Sequence, residues 1–163
     1  MNQYYLRKLS EDMGQAEWKM YRAIPAEEIG WENGAHHLSY DEWRDYLKRQ
    51  IAKEFCAKPK MTYIMYLASR PMGIAKLKHC AEEGTREVAY CLRPAERGRG
   101  LGKTMLELLK QEAQHQGFVK LIGYANKRNQ ASCKTMESCG FQYAGLSSWG
   151  SNKYEISLSE HLG

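Results

Sequence analysis

No run of apolar residues in this 163-residue chain approaches the roughly 18 that a membrane helix needs. The opening Met1-Asn2-Gln3-Tyr4-Tyr5 lacks the basic and apolar regions of a secretory leader. The five cysteines (Cys56, Cys80, Cys91, Cys133, Cys139) form no C-x-x-C pair. An odd, scattered set suits a reducing cytoplasm rather than a disulfide framework. His36 and His37 are adjacent. Neighbouring side chains point different ways on a helix or strand, which favours a plain loop pair over a metal site. There is no repeat, low-complexity tract or linker, so residues 1–163 read as one domain, long enough to bury a substantial core. The formal charge of +5 fits an anionic ligand. Nucleic acid is a minor alternative, because the basic residues are spread along the chain and no nucleic-acid module signature is present.

The densest basic cluster is Arg97-Gly98-Arg99-Gly100-Leu101-Gly102-Lys103. It lies between a strand-like segment and a periodic helical one. Glycines at alternate positions let the backbone turn sharply and come close to a ligand. The following helix start offers unpaired N–H groups and partial positive charge, the setting in which phosphate binds. Arg97, Arg99 and Lys103 add donors for phosphate oxygens.

Two phosphate motifs fail on spacing. A Walker A loop needs four residues between its first glycine and Gly-Lys-Thr; here three separate Gly98 from Gly102, and no acidic strand end stands ready for magnesium. The dinucleotide fingerprint is G-x-G-x-x-G, whereas this run is G-x-G-x-G. Arg97, Gly100 and Gly102 fit Arg-x-x-Gly-x-Gly, and a second set (Asn129, Ser132, Met136, Gly140, Phe141) follows. Asn is a good helix N-cap and Gly a good terminator. The bland alternative for the first run is a solvated basic turn.

The rest of the chain gives the frame. Residues 3–8 predict a strand, and Ser10 an N-cap for a helix reaching about Arg22 and ended by Pro25. Residues 24–35 read as a loop. Ser39 and Glu42 form a capping box opening a helix with Trp43, Leu47, Ile51 and Phe55 along one stripe. Three strands follow, over 61–68, 73–80 and 86–93, with turns at 69–71 and 82–85, as an antiparallel meander. Leu101, Met105, Leu108 and Leu109 mark the buried face of a helix stopping before Gly117. A strand (119–125), a short helix (129–139) and two strands (141–146, 154–158) complete an α/β chain with a mixed sheet.

On Arg97, Gly100 and Gly102, with Asn129, Ser132, Met136, Gly140 and Phe141, the chain from Glu87 onward resembles the GNAT N-acetyltransferase superfamily. The segment Tyr21-x-x-Ile24-Pro25-x-Glu27-Glu28-x-Gly30-Trp31 resembles a group of bacterial GNAT proteins. The resemblance implies a mostly antiparallel, splayed central sheet flanked by helices, with acetyl-CoA as cofactor. It implies that Cys91, Leu92 and Arg93 meet the pantetheine arm, and that Arg97, Gly98, Arg99, Gly100, Leu101, Gly102 and Lys103 cradle the pyrophosphate. Asn129, Ser132 and Met136 would stand beside that arm. It further implies cytoplasmic transfer of an acetyl group to a small-molecule or peptide amine, with a homodimer as a common assembly.

Acetyl transfer to an amine needs a base, preset donors for the oxyanion and a route for the thiolate's proton. Glu87 is the candidate base; its alternative role is a solvated or ion-paired strand carboxylate. The Leu92 N–H is the candidate oxyanion donor. Glu27, Glu28 and Trp31 are candidates for the acceptor side. Many family members carry a tyrosine seven residues after the motif's Asn, where this chain has Met136, which has no acidic proton. Tyr124 or Tyr143 is the candidate replacement. The alternative function is a non-catalytic acyl-CoA-binding or regulatory protein.

Overall fold

A computed structural model describes residues 3–25 and 35–158. One seven-stranded sheet runs in the order β1-β2-β3-β4-β5-β7-β6. Its strands are β1 Tyr4–Lys8, β2 Met61–Leu67, β3 Arg70–His79, β4 Thr85–Leu92, β5 Lys120–Ala125, β6 Gln142–Leu146 and β7 Asn152–Ser157. Every neighbouring pair is antiparallel except β4–β5. Among the described residues four α-helices flank the sheet: α1 Gln15–Ala23, α2 Tyr40–Ala52, α3 Leu101–His115 and α4 Gln130–Ser138.

Alternation along β2 builds a core on each face. Tyr63 and Met65 point to the α3–α4 side with Leu77, Val88, Met105, Leu109 and Met136. Ile64 and Tyr66 point to the α1–α2 side with Met20, Tyr21, Trp43 and Leu47. A strand buried on both faces reads as a continuous apolar run, as Met61–Leu67 does.

Ser39 Oγ accepts from the Glu42 N–H while Glu42 Oε1 accepts from the Ser39 N–H, the reciprocal pair that opens α2. The stripe that follows fails at its end. The helix stops at Ala52, the next three residues tighten into a 3₁₀ turn, and Phe55 is 80% exposed. Ser10 does not cap α1 either. Residues 10–13 form a separate turn, and the helix begins after Gly14, whose N–H donates to Glu17 Oε1 at 2.9 Å. The turn expected at 69–71 falls at 68–69 instead, with Ala68 at φ 54°, and Arg70 and Pro71 already belong to β3. The α3 stripe holds at Leu101, Met105 and Leu109, all buried; Leu106 and Ala113 join it, while Leu108 is only partly buried.

Candidate active site

The strand pair β4–β5 is the feature that opens the sheet. It runs only from Thr85↔Lys120 to Glu87↔Ile122. Beyond Glu87 the two strands part. The Arg93 N–H donates to Met72 O across β3–β4 at 3.0 Å. Backbone groups alternate between the two sides of an antiparallel strand, so those of Val88, Tyr90 and Leu92 turn toward the gap. The gap forms a cleft of about 220 Å³ lined by Lys78, Glu87, Tyr90, Tyr124, Ser132 and Met136 among others. The Leu92 carbonyl accepts two bonds from the Arg97 guanidinium, at 3.0 and 3.3 Å, leaving its N–H as the strand's last donor on that side. Cys91 faces the other way and packs toward the α1–α2 core.

Past the strand the chain makes a 3₁₀ turn over Pro94–Glu96 and enters the glycine run. Gly98 and Gly100 stand at φ 81° and 74°, a left-handed backbone that only glycine adopts without penalty. Gly100 is the residue before α3, so the unpaired N–H groups of that helix start at the turn. Gly102 plays a different part from the one its spacing suggests. It lies inside the first turn of α3 with no positive φ, and a Cβ there would find only ordinary contact with Thr135, at 3.7 Å.

Glu96 was not marked by the sequence pattern. Its buried carboxylate pairs with Arg70 and Arg99 and lies 3.6 Å from Arg93 Nε. One acid thus gathers arginines from β3, from the end of β4 and from the glycine turn. The signal available was weak: a lone glutamate between Arg93, Arg97 and Arg99.

Across the cleft, Asn129 caps α4, its Oδ1 accepting from the Ser132 N–H at 3.1 Å, and Gly140 stands at φ 90° where the helix ends. Met136 is buried, with its tip over Gly123; a Cβ at 123 would come within 2.5 Å of Met136 Cε. It is a wall of the cleft and closes the space between α4 and β5.

Glu87 and Lys78 are register partners on β4 and β3, and Lys78 Nζ lies 3.4 Å from Glu87 Oε2. Tyr124 lines the same cleft, with its ring 4.8 Å from that of Trp149. Burial pushes its hydroxyl up, and the Glu87 charge adds to that. Tyr143 does not reach the cleft: it is exposed and packs edge-on against Tyr154. Tyr90, which the sequence pattern did not single out, does reach it. Its hydroxyl is buried without a hydrogen bond of ordinary geometry; burial raises its pKa, and Ser132 beside it lowers it.

Glu27, Glu28 and Trp31 lie outside the described residues. His36 and His37 sit in a 3₁₀ turn that brings their rings to 3.6 Å, closer than the argument from divergent neighbours allows. Among the described residues no group of three or more His, Cys, Asp or Glu is placed to hold a metal. No helix among them is long and apolar enough to cross a membrane.

The profile of the acetyltransferase (GNAT) domain matches residues 5–142. The chain belongs to the GNAT acetyltransferase family. Solved structures share the fold at low identity. A spermidine N-acetyltransferase from Vibrio cholerae, in complex with CoA and spermine, aligns over 99% of each chain at 16% identity and a TM-score of 0.76. RimL, a ribosomal L7/L12 alpha-N-protein acetyltransferase in complex with CoA, aligns over 96% of this chain and 95% of its own, at 14% identity and a TM-score of 0.77. The aminoglycoside acetyltransferase AAC(6')-Ib, in complex with CoA and kanamycin, aligns over 95% of each, at 19% and 0.71. No curated protein matches the chain. The open β4–β5 pair, the left-handed glycine turn and the capped α4 are therefore features of a GNAT domain.

Proposed function

We propose that this single-domain GNAT protein transfers the acetyl group of acetyl-CoA directly to a primary amine of a small molecule or peptide, in the cytoplasm. The observation that carries the reading is one continuous path. An unpaired β4 edge leads into a turn with Gly98 and Gly100 at positive φ, bordered by Arg97, Arg99 and Lys103 at the start of α3. Backbone N–H groups, a helix N-terminus and cationic side chains suit a pyrophosphate, and an open strand edge suits the amides of a pantetheine arm. Leu92 would meet that arm through its backbone, flanked by Cys91 and Arg93, whose backbone groups turn to β3, with Asn129, Ser132 and Met136 on its far side. Acetyl-CoA supplies the activated acyl group.

The chain's own residues supply the rest. Glu87 would take a proton from the acceptor amine, and its ion pair with Lys78 at 3.4 Å would orient it. The Leu92 N–H, turned toward the gap, would donate to an oxygen gaining negative charge. Tyr90 and Tyr124 bring two phenols to the cleft in place of the tyrosine missing at Met136. Glu27, Glu28 and Trp31 remain proposed for the acceptor side, and a homodimer is the proposed assembly.

Thermal unfolding with and without acetyl-CoA tests the binding step. A ligand specific for the fold at a hundredfold excess over its Kd adds about 2.7 kcal/mol. Amine-dependent thiol release then tests the chemistry. The second reading, a non-catalytic acyl-CoA binder, is favoured by Met136 and by the Lys78–Glu87 pair. It predicts the thermal shift without thiol release from any amine.

A further inference from the structure

A second recess lies beside the cleft. Lys53, Cys56, Lys58, Lys60, Lys78, His79 and Ala81 line a groove of about 590 Å³ between the end of α2, the start of β2 and the end of β3. Four lysines and a histidine face it, and among the described residues no carboxylate lines it. Glu87 pairs with Lys78 at 3.4 Å, while Glu54 is paired with Lys8 and Glu82 with Lys120, so Lys53, Lys58 and Lys60 carry the groove's charge. Lys78 belongs to both recesses and is the residue paired with Glu87. The basic groove thus adjoins, at Lys78, the cleft in which the acceptor amine would lose its proton.

We propose that this groove seats the carboxylate-rich part of the acceptor, so that the substrate is an amine carried on an acidic peptide. This rests on the transferase reading above. A polycation such as a polyamine would meet like charge along the groove, and such juxtaposition is how an interface rejects a partner. A peptide fits better than a nucleic acid for two reasons. A peptide offers an aliphatic amine, whereas the exocyclic amines of nucleobases are weak nucleophiles because their lone pair is delocalised into the ring. Among the described residues the groove also has neither arginine forks for phosphate nor aromatic rings for base stacking.

The test uses a short peptide of aspartates and glutamates with a free N-terminal amine and a fluorophore at its C-terminus. Comparators are a neutral peptide, free glutamate, spermidine and a single-stranded oligonucleotide. Anisotropy reads binding to the acetyl-CoA-saturated protein, and thiol release reads transfer. The expected result is transfer to the acidic peptide with kcat/KM about tenfold or more above the neutral one, falling with salt. Lys58→Glu with Lys60→Glu should weaken peptide binding by about tenfold or more while the thermal shift with acetyl-CoA persists. Lys58→Gln with Lys60→Gln gives a smaller loss in the same direction and serves if the reversal does not fold.

Preference for spermidine, for free glutamate over the peptide, or tighter binding of the oligonucleotide would overturn the groove's assignment and leave the transferase intact. Peptide binding unmoved by either double variant would do the same. Acetyl-CoA binding with transfer to none of the amines would overturn the transferase reading itself, while anisotropy still decides whether the groove takes an acidic chain.

Discussion

Gly100 separates backbone geometry from charge in a single series. Its φ is 74°, and a Cβ built there meets no atom within 4 Å. Gly100→Ala therefore costs only the left-handed penalty, about 1–2 kcal/mol, or roughly 2–8 °C in Tm for a domain of this size. Asn tolerates this region better than Ala, and Asp has nearly the same shape as Asn. The difference in CoA affinity between Gly100→Asp and Gly100→Asn is then a charge effect. Taking a carboxylate about 5 Å from a phosphate at an effective permittivity of about 40, one pair repels by about 1.7 kcal/mol. Two phosphates give about 3 kcal/mol, or roughly a hundredfold in Kd. Calorimetric titration of CoA into the three variants measures this. Pantetheine, which lacks the pyrophosphate, should bind Gly100→Asp and Gly100→Asn equally. Equal CoA affinity for Gly100→Asp and Gly100→Asn would refute passage of the pyrophosphate along this turn.

Gly102→Ala should raise stability by up to about 1 kcal/mol, since the position is helical and roomy; a lower Tm would show a backbone demand that its φ does not reveal. Glu96→Ala removes a buried carboxylate but leaves arginines that reach solvent, so the loss should fall near or below the low end for broken buried pairs, about 2–3 kcal/mol by urea unfolding. Glu87→Gln should lower kcat by about 10²–10⁴ if the carboxylate is the base, with the acetyl-CoA thermal shift retained; a change of only a few-fold would reduce it to the ion pair with Lys78. Burial raises the phenols of Tyr63 and Tyr66, the latter helped by its hydrogen bond to Glu17, and burial pushes the Cys139 thiol up to about 11. Both phenols are neutral in either state below about pH 10, and above it the unfolded chain releases protons that the fold retains, so stability should fall as pH rises through that point. Denaturant midpoints against pH should show this, with a shallower alkaline slope in Tyr66→Phe.

The sequence exposed those parts of the fold that local chemistry dictates. Ser39 with Glu42, Asn129 ahead of α4, and the glycines at 98, 100 and 140 each answer a backbone requirement of their own segment. The expectations that failed depended on what lies across the sheet. Ser10 satisfies the rule for a cap, but Gly14 and Glu17 begin α1, and Glu17 Oε2 is held by the Tyr66 hydroxyl from β2 at 2.7 Å. Phe55 continues the α2 spacing, yet α2 ends at Ala52 and carries it into solvent.

The site divides along the same line. The glycine turn and its cations are contiguous in sequence and could be read directly. Glu96 and Tyr90 could not, because their partners come from other elements: Arg70 from β3, and Ser132 from α4. A period of two did hold a clue for Tyr90, since it shares a face with Val88 and Leu92, which pack under α3 and α4. The same geometry accounts for the methionine at 136. Gly123 has no side chain, so the residue facing it from α4 must fill that space, and Met136 does so with its flexible tip. Packing is then satisfied from α4, and the ionisable groups of the cleft come from the sheet: Lys78 from β3, Glu87 and Tyr90 from β4, Tyr124 from β5. A position vacated on the helix does not leave the cleft without a phenol, because the strand that opens it already presents one.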